Sequence, residues 1–428
     1  MNSSILDFMH GRIRRFFSKL GPGLITGAAD DDPSGIATYS QTGAQFGYGQ
    51  LWLVPFLYPL MTAVQEACAR IGVVTKKGIT ATVKESYGRT IVYSLVVLVF
   101  VANTINIGAN IGAMAASAGL LVPIPFAVLV LGFAFFILIA EVFIPYQLFA
   151  RILKWTLLTM LAYPLTVLLI QVPWQDILRA TFIPHIESGY AFFFVFTAVV
   201  GTTISPYMFF WEASEEVEEE TAAHRARRGA SIGRIRDMRI DNAFGMLASQ
   251  VVMWCIIVVS GTVLHGGGIT DITTAADAAR ALEPLVSGFP NAGYIAKAIF
   301  AIGIIGLGLI SIPVLAGSAA YVAAEAFQWR EGLSRRLREA YGFYGVIALA
   351  TIAGLALNFV GIDPIKALII TAVINAFVAI PLVLVIILIS TNSKIMGNRT
   401  SGRLSQTLLW ITFAVLIGSA GALVYTAL

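Results

Sequence analysis

The chain is 428 residues long, 57% hydrophobic and only 12% charged, against about 25% charged residues in a soluble domain. That composition excludes a soluble globular protein and points to a polytopic membrane protein of roughly ten to twelve helices, since one span takes about 20 residues. The net charge of +4 is too small to mark a nucleic-acid partner, and the two cysteines, Cys68 and Cys255, lie in apolar runs, which argues against a disulfide framework or a cysteine-built metal site.

In chain order, residues 1–20 carry Arg12, Arg14, Arg15 and Lys19 without an apolar core, so they read as a cytoplasmic N-terminal segment and not as a cleaved signal peptide. Apolar runs then predict eleven spans, near 22–45, 50–74, 91–121, 124–143, 147–170, 190–212, 242–264, 292–323, 342–359, 364–390 and 405–427. The first ten form a ten-helix core over 21–390. A short cytoplasmic loop and the eleventh helix fill 391–428. Segments 1–20, 70–90, 144–155, 213–241, 326–341 and 391–403 hold 24 of the 28 Lys and Arg, leaving Arg179, Arg280, Lys297 and Lys366 for the other side. By the positive-inside rule the N-terminus is cytoplasmic and the C-terminus outside, in what we expect to be a bacterial inner membrane. The loop 265–291 reads as a solvated connection with an amphipathic piece at Ala275–Leu285. The loop 213–241, acidic from Glu212 to Glu220 and then basic from Arg225 to Arg239, reads first as a self-pairing or solvated helix and second as a vestibule that gathers cations.

Two spans are interrupted. Span 1 holds Asp30, Asp31 and Asp32, followed by Pro33, Ser34 and Gly35. A carboxylate at mid-membrane depth costs at least about 2.5–3.5 kcal/mol, and such acids mark function. Proline and glycine predict a break at Asp32–Gly35, freeing carbonyls beside the acids. Bare carbonyls are tolerated there only against protein or a water-filled cavity. Span 6 repeats the pattern at Gly201-Thr-Thr-Ile-Ser-Pro206. The two breaks lie five spans apart, so the halves run in opposite directions, which points to an inverted-repeat transporter with a midplane site. We expect Asp32 and Ser205 to bind a cation together with the carbonyls of Ala29 and Thr202, three residues before each. Gly35 lies beside them, and Asp30 and Asp31 would sit in support.

These residues resemble the Nramp family of divalent-metal transporters. Gly21-Pro-Gly-Leu, Asp32-Pro-Ser-Gly35 and Gly43-Ala-Gln-Phe-Gly-Tyr48 are similar to the family's first span, Arg70-Ile-Gly-Val-Val-Thr75 to its span 2, and Ala324-Glu-Ala-Phe327 to its span 8. The resemblance implies an all-α, LeuT-like fold of two inverted five-helix repeats plus an eleventh transmembrane helix. It also shows departures. Where the family has asparagine, methionine and histidine at the site, this chain has Gly35, Ser205 and Tyr207. The acids of the family's span 3 proton route read Asn106 and Ala109, and its span 9 arginines are missing. Asn103, Asn106 and Asn110 share one helix face and could line a wet path or simply join helices. Asn375 is the nearest candidate for a span 10 ligand. Oxygen donors without sulfur suit hard ions, and these changes resemble the Nramp-related magnesium branch. The leading expectation is therefore transport of Mg²⁺, with Mn²⁺ second, without proton coupling and without a cofactor. Other readings are a proton-coupled Mn²⁺/Fe²⁺ importer, an amino-acid transporter of similar architecture, and a non-transporting sensor or scaffold. No nucleophile–base pair or phosphate loop suggests an enzyme.

Overall fold

The computed structural model describes residues 27, 30–143, 156–222, 232–333 and 335–428. The N-terminal segment 1–20, most of the first half of span 1 including Ala29, the start of span 5 and the basic stretch 223–231 lie outside the described residues. Among those described there is no strand. In order come α1 (Pro33–Phe46), α2 (Leu53–Thr75), the short α3 (Ile79–Tyr87), α4 (Arg89–Ala118), α5 (Phe126–Phe143), α6 (Ala162–Leu169), α7 (Trp174–Phe182), α8 (Tyr190–Thr203), α9 (Pro206–Ala222) and α10 (Ile232–Ser260). The chain continues with α11 (Ala275–Arg280), α12 (Ala292–Phe327), α13 (Tyr341–Leu357), α14 (Pro364–Thr391), α15 (Ser393–Met396) and α16 (Arg403–Ala427).

Seven segments among the described residues are long and apolar enough to cross a membrane, counting α8 and the first part of α9 as one, and Leu158–Leu169 and Tyr341–Leu357 are shorter apolar helices. α2 is less apolar because it carries Gln65, Glu66 and Arg70, all buried inside the protein. Side chains such as Val97, Phe135, Phe136, Leu168 and Leu349 stand exposed on the outer surface, as expected where the solvent is lipid.

The packing follows the inverted repeat. Exchanging the two halves swaps span 1 with span 6 and span 2 with span 7. The contacts swap likewise, with α1 packing on α10 as α9 packs on α2. The most extensive pairing joins α4 to α12, the third span of each half, and α8 lies against α14. At Gly201 a Cβ would stand 2.0 Å from the Ala372 carbonyl oxygen and 2.6 Å from the Ala376 nitrogen, so only glycine lets α8 and α14 approach this closely.

The loop 265–291 is not merely a solvated connection. Thr274 and Asp277 form a reciprocal capping box at the start of α11, and Ile272, Ala275, Ala278, Ala279 and Leu282 are buried. One apolar face of this stretch therefore belongs to the core. The adjoining residues are fixed to α1 by side-chain bonds: the Ile272 N–H donates to Gln41 Oε1 at 2.8 Å, and Gln41 Nε2 donates to the Thr270 carbonyl at 3.3 Å.

Candidate functional site

Both interruptions use one device. Asp32 is extended (φ −66°, ψ 171°) and caps α1, which starts at Pro33. Span 6 ends its first half at Thr203 and restarts at Pro206. A proline in the first turn of a helix gives up an N–H that would have no partner there, so it starts the second half without strain. The break in span 1 therefore falls before Pro33 and not across Asp32–Gly35; Gly35 lies inside α1. In span 6 it is narrowed to Ile204 and Ser205.

Asp32 is 1% exposed. Its Oδ1 accepts from the Ser34 hydroxyl at 2.6 Å and from the Gly35 N–H at 2.9 Å. Its Oδ2 accepts from Asn110 Nδ2, on α4, at 3.3 Å. The Ser34 hydroxyl lies 3.2 Å from the Thr202 hydroxyl, which joins the two broken spans directly. Ser205 turns its hydroxyl back onto the Thr202 and Gly201 carbonyls, satisfying oxygens that the break leaves free. One hydrogen-bonded line thus runs Asn110–Asp32–Ser34–Thr202–Ser205, all buried. A carboxylate offers about four lone-pair directions. Oδ1 takes two of the bonds above and Oδ2 one, which makes Oδ2 the more open oxygen. Asn110 Oδ1 is buried without a partner, and a half-turn of that amide would offer a second oxygen beside it.

The three carboxylates do not face one point. Ser249, on α10, donates to Asp30 Oδ2 at 2.8 Å and to Asp31 Oδ1 at 3.1 Å, while Asp32 faces α4. Among the described residues no three His, Cys, Asp or Glu side chains are grouped to hold a metal ion. An ion at Asp32 would complete its shell with hydroxyl and carbonyl oxygens and water, which suits hard cations. Gly35 leaves less room than its missing side chain implies. A Cβ there would stand 3.3 Å from the Tyr39 ring, 3.4 Å from the Asp30 carbonyl oxygen and 3.6 Å from the Thr202 hydroxyl. Two oxygens and the Tyr39 ring therefore crowd this spot, and the Asp30 carbonyl joins the candidate ligands.

The polar residues of α4 act as helix joints. Asn103 Nδ2 donates to the Leu315 carbonyl of α12 at 2.9 Å, and Asn110 also donates to the Ser311 hydroxyl at 3.4 Å. Asn106 Nδ2 donates to Asn375 Oδ1 at 2.8 Å, and Asn375 Nδ2 donates back at 3.4 Å. Asn375 is thus engaged by α4, and its amide faces Asn106. Tyr207 is buried at the start of α9. Ser34, Tyr39, Ser249 and Ser311 were not singled out from the sequence. Ser34 has a local signal, a hydroxyl two residues after a helix-capping acid. Ser249 and Ser311 have none, because what brings them to the site is the packing of helices far apart in the chain.

At the far end of α9 a cavity of about 440 Å³ is lined by Lys76, Gly78, Ser214, Glu218, Glu325 and Glu331, among others. Of the acidic run from Glu212, Glu218 therefore borders this cavity, whose lining also holds Lys76, Lys77 and Arg335. Burial, and behind it the Glu325 and Glu218 carboxylates, pushes the Glu331 carboxyl up to about 9.

A bundle of membrane-length helices in which two interrupted spans meet at a buried aspartate is a membrane protein of LeuT-like fold. The chain belongs to the Nramp family, described as natural resistance-associated macrophage protein-like, which it matches over residues 23–426. A divalent metal cation transporter, MntH, of Klebsiella pneumoniae strain 342 is 24% identical over 413 residues, covering 96% of this chain and 94% of the relative. The crystal structure of an Eremococcus coleocola manganese transporter superposes with a TM-score of 0.73 at 17% identity, over 96% of this chain and 87% of that one. MhsT, solved with L-phenylalanine, shares the fold at a TM-score of 0.58 and 11% identity, over 95% of this chain and 97% of that one.

Proposed function

We propose that this protein transports divalent metal cations across a membrane by alternating access, with the ion bound at Asp32 between the two broken spans. The observation that carries this is the line Asn110–Asp32–Ser34–Thr202–Ser205. It puts a buried carboxylate, hydroxyls and helix-break carbonyls together where spans 1 and 6 meet. The relatives are manganese and divalent-metal transporters, so Mn²⁺ carried by the proton-coupled mechanism stands first, ahead of the magnesium reading of the sequence. Mn²⁺ also accepts carboxylate, carbonyl and water ligands. The N-inside orientation rests on the Lys and Arg distribution.

One observation keeps a second reading, uncoupled Mg²⁺ transport. Ser205 and Tyr207 bring no thioether or imidazole to the site, and the span 3 positions hold Asn106 and Ala109. The test is flux into liposomes carrying the purified protein, comparing Mn²⁺, Mg²⁺, Ca²⁺ and Fe²⁺ with internal pH followed and membrane potential clamped. Mn²⁺ influx with matching acidification supports the first reading. Mg²⁺ influx at constant internal pH supports the second. Flux of no ion would overturn transport.

A further inference from the structure

Glu325 lies in the last turn of α12, buried at the edge of the 440 Å³ cavity. Its Oε2 accepts the main-chain N–H of Ala81 at 2.9 Å, and its Oε1 accepts the Ser214 hydroxyl at 3.2 Å. Ala81 is the third residue of α3, where helix N–H groups have no partner within the helix. The residue before α3 is Gly78, which has no side chain to cap it. Glu325 supplies the cap from another helix, and its charge suits the positive end of the helix dipole. A Cβ on Gly78 would stand 1.6 Å from Glu325 Oε1, so the carboxylate holds this position because residue 78 has no side chain. Lys84 Nζ donates to the Ala326 carbonyl at 2.6 Å, so α3 is tied to the end of α12 at two points.

Ser214, which donates to Glu325 Oε1, belongs to α9, the half-helix that begins at the candidate ion site. Nine residues separate it from Ser205, about 13 Å along a helix. In inverted-repeat transporters one bundle rocks against the other around a fixed site. We propose that Glu325 is a positioning residue for transport: its carboxylate caps α3 and docks α9 on α12, and the Ser214 bond must break for α9 to swing at the mouth of the cavity. The consequence for transport rests on the function proposed above, whereas the capping can be measured without any ion.

The experiment uses the full-length protein in nanodiscs and liposomes, as wild type, Glu325→Ala, Glu325→Gln and Ser214→Ala. Hydrogen exchange is read on peptides spanning 79–87, and Mn²⁺ or Mg²⁺ influx, whichever the wild type carries, is resolved into KM and maximal rate. Glu325→Ala is expected to speed exchange in α3 by about tenfold or more, with the other helices unchanged. Glu325→Gln keeps an acceptor oxygen for Ala81 and should restore most of that protection. Ser214→Ala should leave α3 exchange as in the wild type and alter the maximal rate at unchanged KM. Exchange in α3 that ignores Glu325→Ala, or that rises together with every other helix, overturns the cap. A Ser214→Ala variant with wild-type maximal rate, or with KM and rate changed in step, overturns the docking role. If the wild type carries no ion, the transport reading fails while the exchange result still decides the cap.

Discussion

Ser205 stands where the family's pattern has a sulfur ligand, and its hydroxyl is spent on the carbonyls of its own broken span. Ser205→Met would replace that hydroxyl with a soft donor. We expect the ratio of Cd²⁺ to Mg²⁺ uptake to rise, measured by competition in proteoliposomes; a ratio unchanged from the wild type would mean that position 205 does not face the ion. The Asn106–Asn375 pair offers a test of the helix joints. Removing one amide leaves the other buried and half-satisfied, whereas removing both leaves neither. A double-mutant cycle with Asn106→Ala and Asn375→Ala, read by thermal unfolding in detergent, should give a coupling of about 0.6–2 kcal/mol. A coupling of zero would mean that the two amides do not support each other. Part of the candidate site was legible at this scale. An acid beside a proline in an apolar run is a local signal, and it singled out Asp32. Partners such as Asn110 and Ser249 were not legible as partners, because contacts across 78 and 219 residues of chain leave no local pattern.

At the scale of the elements, apolar runs located most of the described spans to within a few residues, since the bilayer fixes their length. However, α9 runs ten residues past the expected end at 212 and α10 starts ten residues before the expected start at 242, where charged residues continue the helices beyond the apolar run. The breaks were misplaced by a residue or two for a physical reason. Proline and glycine were both read as breakers, yet proline is welcome in the first turn of a helix and Gly35 is simply carried inside α1. The loop 265–291 was read as solvated because its apolar residues are spaced among glycines and acids; the structure turns that spacing into a buried face on α11. Helix contact gives a further prediction. Gly201→Ala puts a methyl against the backbone of α14 and should destabilise the protein by about 1–3 kcal/mol, seen as a lowered melting temperature. Gly132→Ala, where a Cβ meets nothing within 4 Å, is the control and should not lower it. Equal melting temperatures for the two variants would show that α8 and α14 are not so closely packed.

For the whole molecule, the two halves are joined at their breaks: α1 and α9 both restart at a proline, and a pair of hydroxyls links the two interruptions. Among the described residues Asp32 is the one carboxylate on that joint, because Asp30 and Asp31 turn toward α10. The most direct test is divalent-cation influx into proteoliposomes by Asp32→Ala beside the wild type, using Mn²⁺ and Mg²⁺ and protein whose melting temperature matches that of the wild type. The account predicts that influx of both ions falls to the level of protein-free liposomes. Influx by Asp32→Ala at the wild-type rate would contradict it and move the ion site elsewhere.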